Sequence, residues 1–322
     1  MMNTAYEAYS FPSADGVSQC AGIAVLPPDT DNPKALFLIS HGMSEHMKRY
    51  LPFMHTLAGH GFLCFGHDHI GHGATASTSA DHGYLPRKTG AEIVVSDLIC
   101  DANRFRACYP DLPLVLFGHS MGSFIARLAA AGEQASIFDA LILSGTGAKN
   151  PLAPLGMTLL TVLSLTRGER TYSARMQSLL FDSYSKPFEK RTPYDWISSD
   201  PSAVDRYIAD PWNGFAFTVS AQYVLISLLH RCNQPKTFQN TPNELPILLI
   251  SGRDDPVGNF GNGIHAVADA YQNAGCSSVS HTLYTGARHE LLQEPIAAEV
   301  INDLLCWLAS SINVHPKRST PT

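Results

Sequence analysis

The stretch LPLVLFGHSMGSFIARLAAAG, residues 112–132, places one serine between two glycines where an apolar strand pattern changes to a helical pattern. Gly118, Ser120 and Gly122 fit the spacing G-x-S-x-G. A strand that turns directly into a helix strains the backbone of the central serine, and glycines on either side relieve the crowding. Such a turn exposes the hydroxyl beside amide donors at a helix N-terminus. We therefore predict that Ser120 is a nucleophile rather than part of a chance Gly/Ser turn.

A serine nucleophile needs a base, and the base needs an orienting carboxylate. On a strand-turn-helix nucleophile these two groups follow in the order carboxylate, then histidine, at the ends of later strands. Asp254 and Asp255 follow the apolar run PILLIS, and His289 follows VSHTLY. A strand-end aspartate can also cap a helix, and a loop histidine can be merely solvated. The correct order favours a catalytic triad, but spacing alone leaves Asp254 and Asp255 both open.

The elements that must position these residues alternate regularly along the chain. Residues 6–11 and 21–26, joined through Asp15-Gly16, are predicted to form an antiparallel pair. Short apolar strands then alternate with helices, which is typical of a mainly parallel sheet covered on both faces. The predicted strands are 35–40, 62–66, 114–117, 140–144, 246–251 and 279–284, and the helices lie near 48–60, 90–109, 262–275 and 295–310 and from 121 onward.

The alternation breaks between residues 147 and 240. We expect this segment to be a mostly helical cap, inserted into a core formed by residues 1–146 and 241–322, at the sheet edge where ligands bind in open α/β folds. Its apolar stripe from Leu155 to Leu165 has hardly any polar face, so it must be buried or face something non-aqueous. The stripe could pack on the cap and the sheet, or part of it could line an acyl pocket or meet a lipid surface.

Composition restricts the function classes. The chain has 322 residues and a net charge of −6, which gives no electrostatic case for nucleic-acid binding. Its seven cysteines are scattered and never spaced C-x-x-C, which suits a reducing compartment. Residues 1–16 lack the pattern of a signal peptide, and no apolar run is long enough to span a membrane. We therefore expect a cytoplasmic protein; its oligomeric state stays open.

Five motifs carry a resemblance to a known family. The sequence resembles the α/β-hydrolase superfamily, and within it the lysophospholipase and monoacylglycerol lipase-like branch, also called the serine aminopeptidase S33 group. H-G-x-x-E-H-x-x-R-Y is the most specific motif. The resemblance implies an eight-stranded, mainly parallel sheet flanked by helices, with an inserted cap. The motifs are HGMSEHMKRY (41–50), HDHIGHG (67–73), GHSMG (118–122), GRDDPV (252–257) and GARHELLQE (286–294).

The resemblance also assigns roles to residues. It selects Asp255 as the acid, and it places the two oxyanion donors at the backbone amides of Met43 and Met121. It implies that Glu45, Arg49 and His119 lie near the bound substrate, although Glu45 and Arg49, four residues apart, could instead form a surface pair. No cofactor is implied. The candidate site residues are thus Ser120, Asp255, His289, Met43, Met121, Glu45, Arg49 and His119.

The expected activity is that of a serine carboxylic-ester hydrolase on a small-molecule acyl ester, such as a monoacylglycerol or a lysophospholipid, with transient contact of the cap with a membrane surface. One alternative is a serine aminopeptidase or amidase of the same fold. Another is a hydrolase fold that only binds its ligand. Two positions depart from the family pattern. Leu292 replaces a second histidine found in mammalian monoacylglycerol lipases, and Ser123 replaces a glycine, so glycerol is not firmly implied as the head group.

The run HDHIGHG suggests a further alternative. His67, His69 and His72 approach the H-x-H-x-D-H pattern of metal-dependent hydrolases, but Gly71 stands where that pattern needs aspartate. The same residues fit a strand-end loop in which Asp68 and the glycines shape a turn. We therefore expect no metal site.

Overall fold

The computed structural model describes residues 5–30 and 32–312. Its strands form one sheet in the order β1-β2-β4-β3-β5-β6-β7-β8; β2 runs antiparallel to β1 and β4, and the other neighbours are parallel. The mainly parallel, eight-stranded sheet predicted from the sequence is confirmed. The strands are β1 (Glu7–Pro12), β2 (Gln19–Val25), β3 (Ala35–Ser40), β4 (Phe62–His67), β5 (Leu114–His119), β6 (Ala140–Ser144), β7 (Ile247–Gly252) and β8 (Val279–Tyr284).

Helices cover both faces of the sheet because alternate strand residues point to opposite sides. In β3, Leu36 and Leu38 pack on one face with α2, α3 and α9, whereas Phe37 and Ile39 pack on the other face with α1 and α10. Both layers are completely shielded from solvent near the sheet centre. These five helices are α1 (Leu51–Gly59), α2 (Gly90–Cys108), α3 (Met121–Ala129), α9 (Asn262–Asn273) and α10 (Ala297–Ser311).

Five further helices lie between β6 and β7, as the sequence predicts for an inserted cap. Side-chain caps fix several of them: Ser173 begins α5, Asp200 begins α6 and Thr218 begins α7 by accepting a backbone N–H bond. We keep residues 147–240 as the proposed extent of this cap. The helices are α4 (Ala153–Arg167), α5 (Ala174–Ser185), α6 (Pro201–Ala209), α7 (Val219–Cys232) and α8 (Pro235–Asn240).

One cap helix, α7, is built into the main core. Its residues Val224 and Leu228 are fully buried in the same cluster as the strands and α3. The buried Arg127 of α3 donates hydrogen bonds to Cys232 O (2.8 Å) and Asn233 Oδ1 (3.0 Å) at the end of α7. A cation at a helix C-terminus is favoured by the orientation of the peptide dipoles. Arg127 therefore attaches the cap to the helix that follows Ser120.

The helix α4 differs from the others because much of its apolar surface is open. Leu160 is fully buried, whereas Leu155 and Leu165 are 68% and 72% exposed. None of the helices in the described residues has both the length and the hydropathy of a membrane-crossing segment. Residues 1–4, which begin the stretch where we expect no signal peptide, lie outside the described part of the chain.

Candidate active site

The candidate nucleophile lies on a strained turn. Ser120 joins β5 to α3 with a φ of 50°, a conformation that residues with side chains rarely adopt. A Cβ on Gly122 would lie 2.0 Å from Ser40 O, and a Cβ on Gly118 would lie 2.5 Å from Gly122 O. The Ser120 N–H donates to Ser144 O at the end of β6 (2.9 Å). The sharp turn therefore depends on both glycines and on the neighbouring strand ends.

An aspartate and a histidine follow the last two strands of the sheet, β7 and β8. His289 Nδ1 donates to Asp255 Oδ2 over 2.9 Å, and both side chains are buried. The Asp255 carboxylate also accepts the Val257 N–H (2.8 Å) and the Ser251 hydroxyl (3.1 Å). The bond from Nδ1 leaves His289 Nε2 as the nitrogen that can exchange a proton with a substrate or with Ser120. This geometry supports the proposal of Asp255, rather than its half-buried neighbour Asp254, as the orienting acid.

The electrostatics of this pair favour the charged form of each partner. Burial by itself raises the pKa of Asp255, but the neighbouring His289 and the hydrogen bonds outweigh it and hold this pKa below its usual value. Burial likewise lowers the pKa of His289, but the Asp255 charge and hydrogen bond outweigh it and raise this pKa above its usual value. An imidazolium at His289 is therefore stabilised, which is what a general base requires after it has taken a proton.

The loop after β3 contains the first proposed oxyanion donor, Met43. The amides on either side of it have partners: Gly42 N–H donates to Glu45 Oε1, and Ser44 N–H donates to His72 Nε2 (3.2 Å). Ser44 has a φ of 53°. We propose that the Met43 amide and the amide of Met121, the first residue of α3, complete the oxyanion hole.

The residues Glu45 and Arg49 form part of a buried charge cluster, not a surface pair. Arg49 Nη1 lies 2.6 Å from Glu45 Oε2, and its guanidinium also forms a bidentate pair with Glu290 (2.8 and 2.6 Å). The Tyr50 hydroxyl donates to Glu45 (2.7 Å). Because Glu45 also accepts the Gly42 N–H, the cluster fixes the shape of the loop that contains Met43.

The proposed substrate residue His119 lies directly against His289. Their ring centroids are 4.8 Å apart, and the other neighbour of His289 is the indole of Trp196, at 5.0 Å. Burial and the nearby His289 lower the pKa of His119 to about 4, so it is neutral near neutral pH. His289 is thus held between a neutral histidine and an aromatic ring from the cap.

The three histidines of HDHIGHG have structural roles. His67 Nδ1 lies 2.8 Å from Asp101 Oδ2, and His69 Nε2 lies 3.1 Å from the Ser40 hydroxyl. His72 accepts the Ser44 N–H and so supports the proposed oxyanion loop. Within the described residues, no group of three or more His, Cys, Asp or Glu side chains has an arrangement that could hold a metal ion.

A cavity of about 940 Å³ brings most of the candidate residues together. Ser120, His289, Met43, Glu45 and His119 all line it. Asp255 and Met121 are not among the lining residues; Asp255 is connected to the cavity through its hydrogen bond with His289. Arg49 lines a separate, smaller cavity together with Glu45 and Glu290, and these two carboxylates also line the main cavity. The arrangement could carry out nucleophilic acyl transfer, with proton transfer by His289.

Sequence analysis did not identify three residues near the candidate site, namely Glu290, Trp196 and Tyr207. Glu290 follows His289 directly and could have been found from its position, but its partner Arg49 is 241 residues away in the chain. Trp196 and Tyr207 belong to the cap, which has no recognisable motif. Tyr207 donates its hydroxyl to Ser44 O (3.1 Å), and only the folded chain brings these residues together.

The chain matches the family described as "Serine aminopeptidase, S33" over residues 31–296. The chain belongs to this family. It is 27% identical to the monoglyceride lipase of Mus musculus over 285 residues, covering 87% of this chain and 84% of the mouse protein. It is 25% identical to the monoacylglycerol lipase of Mycolicibacterium smegmatis over 325 residues, covering 97% of this chain and 100% of that protein.

The S33 family membership and the α/β-hydrolase fold expected from the motifs are confirmed. A carboxyl esterase from Bacillus coagulans, solved in complex with glycerol, superposes with a TM-score of 0.89 and 30% sequence identity. The superposition covers 96% of this chain and 99% of the esterase.

The two departures from the S33 motif pattern have visible consequences. The Ser123 hydroxyl lies 2.6 Å from Ser120 O and 2.8 Å from Thr146 Oγ1, so this side chain ties the nucleophile turn to the loop after β6. Leu292 lies at the small cavity beside Arg49 and Glu290, where it offers no polar atom.

Asp255→Asn should lower kcat/KM for ester hydrolysis by about 10⁴-fold, because His289 then loses the acceptor that fixes its tautomer and orientation. The matched control Asp254→Asn should change kcat/KM by only a few-fold. Steady-state kinetics on one soluble ester would compare the two variants. A larger loss in Asp254→Asn than in Asp255→Asn would contradict the assignment of the acid.

Proposed function

We propose that this carboxylic ester hydrolase cleaves acyl esters that combine a long apolar chain with a small polar alcohol, and that monoacylglycerols are its main substrate class. The observation that carries the proposal is the single cavity that joins Ser120 and His289 to an apolar wall from the cap. The mouse and mycobacterial relatives, named as monoglyceride and monoacylglycerol lipases, support the same substrate class.

The apolar part of the cavity suits an acyl chain. Its walls come from α4, α5 and α7, and from Phe124 on the helix after the nucleophile. Acyl-chain burial in such a wall is favourable by about 0.8 kcal/mol per methylene. The apolar lining residues include Met43, Phe124, Leu152, Leu155, Leu159, Leu179, Leu180, Phe181, Leu225, Ile226 and Leu229.

The polar part of the cavity suits the alcohol. Glu45 and His119 line this part next to the proposed triad, and we propose that they contact the alcohol end of the substrate. The Glu45 carboxylate is already engaged by Arg49, Tyr50 and the Gly42 amide. Leu292 lines the separate small cavity and not this one, so it offers no hydrogen bond to the alcohol here.

The proposed mechanism proceeds through an acyl-enzyme. Ser120 Oγ attacks the ester carbonyl while His289 Nε2 takes its proton, and the Met43 and Met121 amides bind the oxyanion. The protonated His289 then gives the proton to the leaving alcohol. Water, deprotonated by His289, then attacks the acyl-enzyme. The bond from the acyl carbon to Ser120 Oγ breaks, His289 returns the proton to Ser120 Oγ, and the fatty acid is released. Asp255 keeps its negative charge throughout and stabilises the imidazolium.

Ser120→Ala should abolish hydrolysis of a monoacylglycerol and labelling by a fluorophosphonate probe, with the circular dichroism spectrum unchanged. The wild-type chain, assayed on a monoacylglycerol, a lysophospholipid and an aminoacyl amide, should turn over the esters and prefer the monoacylglycerol. Labelling that persists in Ser120→Ala would mean that another residue is the nucleophile. Faster turnover of the amide would favour the aminopeptidase alternative, and binding without turnover would favour a ligand-binding protein.

For soluble esters of graded acyl length, kcat/KM should rise by up to about fourfold per methylene through several carbons and then level off. Leu159→Asp, which places a charge in the apolar wall, should lower kcat/KM for long-chain esters far more than for acetate esters. Leu165→Asp is the matched control, since Leu165 is exposed on the same helix and does not line the cavity. Equal losses on both substrates in Leu159→Asp would refute the acyl-wall assignment.

We further propose that the cap makes transient contact with a membrane surface, where such substrates are found. The exposed apolar residues of α4 support this, because Leu155, Val162 and Leu165 are each more than half exposed. We also propose the cytoplasm as the compartment. All seven cysteines lie in the described residues and are free thiols, and disulfides are rare under reducing conditions.

In a sedimentation assay with phosphatidylcholine vesicles, the wild-type chain should bind, and the double variant Val162→Asp/Leu165→Asp should bind much less. Hydrolysis of a soluble short-chain ester should be the same in both, because neither residue lines the cavity. Equal vesicle binding by the two proteins, or no binding by the wild type, would exclude α4 as a membrane contact.

A further inference from the structure

The catalytic base proposed above has an aromatic neighbour that the mechanism has not used. The indole of Trp196 lies with its centroid 5.0 Å from that of His289, at an interplanar angle of 43°. On the other side, the ring of His119 lies 4.8 Å away. The ionisable groups that surround His289 are Asp255, Glu290, Glu45 and His119.

Trp196 is attached to the loop that contains the base. The Glu290 N–H donates to Ile197 O (2.7 Å), and Arg288 Nη1 donates to Ser198 O (3.1 Å) and to the Asp195 carbonyl. These bonds come from the residues on either side of His289. The cap segment with Trp196 and the loop with His289 are therefore joined directly by hydrogen bonds.

The two rings beside His289 differ in how they interact with a positive charge on it. The face of an indole ring is negative and attracts a cation within about 6 Å of its centroid. Histidine is not among the rings that typically attract a cation in this way. Burial, together with the repulsion between a protonated His119 and the His289 cation, lowers the pKa of His119 to about 4. An imidazolium forms at His289 in each transition state of the reaction, whereas the resting base is neutral. A contact that favours the cation therefore stabilises the transition state more than the ground state.

We propose that Trp196 is a positioning residue for ester hydrolysis: its indole ring holds His289 against Asp255 and stabilises the imidazolium that forms when His289 takes the Ser120 proton. The proposal rests on the function proposed above for Ser120 and His289. It assigns to the cap a part in the chemical step, in addition to its part in enclosing the acyl chain.

The test compares pH profiles of kcat/KM for an acetate ester, whose acyl group is too short to depend on the apolar wall. Trp196→Leu should lower the plateau by about three- to thirty-fold and move the midpoint of the acid limb down by about 0.5 to 1 pH unit. Trp196→Phe, which keeps an aromatic ring, should show a smaller change in both. The matched control Trp212→Leu removes another cap indole, which contacts His46 rather than His289, and should change neither. An acid limb that stays in place in Trp196→Leu would overturn the proposal, whatever happens to the plateau.

A second measurement does not depend on turnover. In Ser120→Ala with Trp212→Phe and Trp307→Phe, Trp196 is the one remaining tryptophan. A protonated imidazole quenches indole emission more strongly than a neutral one, so fluorescence should fall as the pH drops through the His289 midpoint. Adding His289→Gln should remove this transition. A fluorescence transition in both proteins, or in neither, would contradict the contact between Trp196 and His289. Failure of the ester-hydrolase function would appear separately, as unchanged turnover in Ser120→Ala.

Discussion

A residue with a side chain adopts a positive φ only where its surroundings hold it there. Ser120, at 50°, is held by hydrogen bonds of its backbone N–H and C=O and by the close packing at its neighbouring glycines. At Gly118 and Gly122, two positions before and after it, there is no room for a Cβ, because backbone oxygens occupy that space. One of those oxygens belongs to β3, and the Ser120 amide is bonded to β6. Strands β3 and β6 must therefore end at the same level of the sheet as β5, which leads into this turn. The loops that contain the other candidate residues start from the same edge of the sheet.

Charge burial imposes a second requirement on those loops. A buried carboxylate is costly unless it is paired and hydrogen bonded. Asp255 meets this requirement with three donors, and Glu45 meets it with the Gly42 amide, Tyr50 and Arg49. Each carboxylate thereby fixes a loop: Asp255 fixes His289, and Glu45 fixes the loop with Met43. The proposed site is consequently organised before substrate arrives, which is how fixed dipoles contribute most to catalysis.

Local patterns in the sequence predicted the sheet and its flanking helices well. Strands β6 and β8 have the predicted bounds, and α2 and α9 differ from prediction by one or two residues at their ends. The reason is that buried parallel strands are short apolar runs, which can be recognised from the local sequence alone. The turn at Ser120, the proposed nucleophile, could be predicted for a similar reason, because its two glycines meet a local steric requirement.

Features that depend on distant parts of the chain were not predictable. Spacing could not choose between Asp254 and Asp255, because the choice depends on which carboxylate points towards a loop more than 30 residues later. The burial of the Glu45–Arg49 pair depends on Glu290, from the far end of the chain. The apolar stripe of α4 predicted burial or a non-aqueous contact, but which leucines are enclosed depends on how α4 packs against α7.

The attachment of the cap determines which parts of it evolution or an engineer could exchange. The stretch around Trp196 is bonded to the His289 loop, and the stretch around Gly214 is bonded to Ser44: the Gly214 N–H donates to Ser44 O, and the Ser44 hydroxyl donates to Phe215 O. A chimera that takes residues 150–190 from a relative keeps both sets of bonds. It would exchange the part of the apolar wall that α4 and α5 form, and it would leave the loops with His289 and Met43, the proposed base and oxyanion donor, intact. A chimera that takes the whole insertion would replace the cap partners of both sets of bonds. Because those partners are backbone groups, the new segment would have to keep the same backbone geometry at these two contacts.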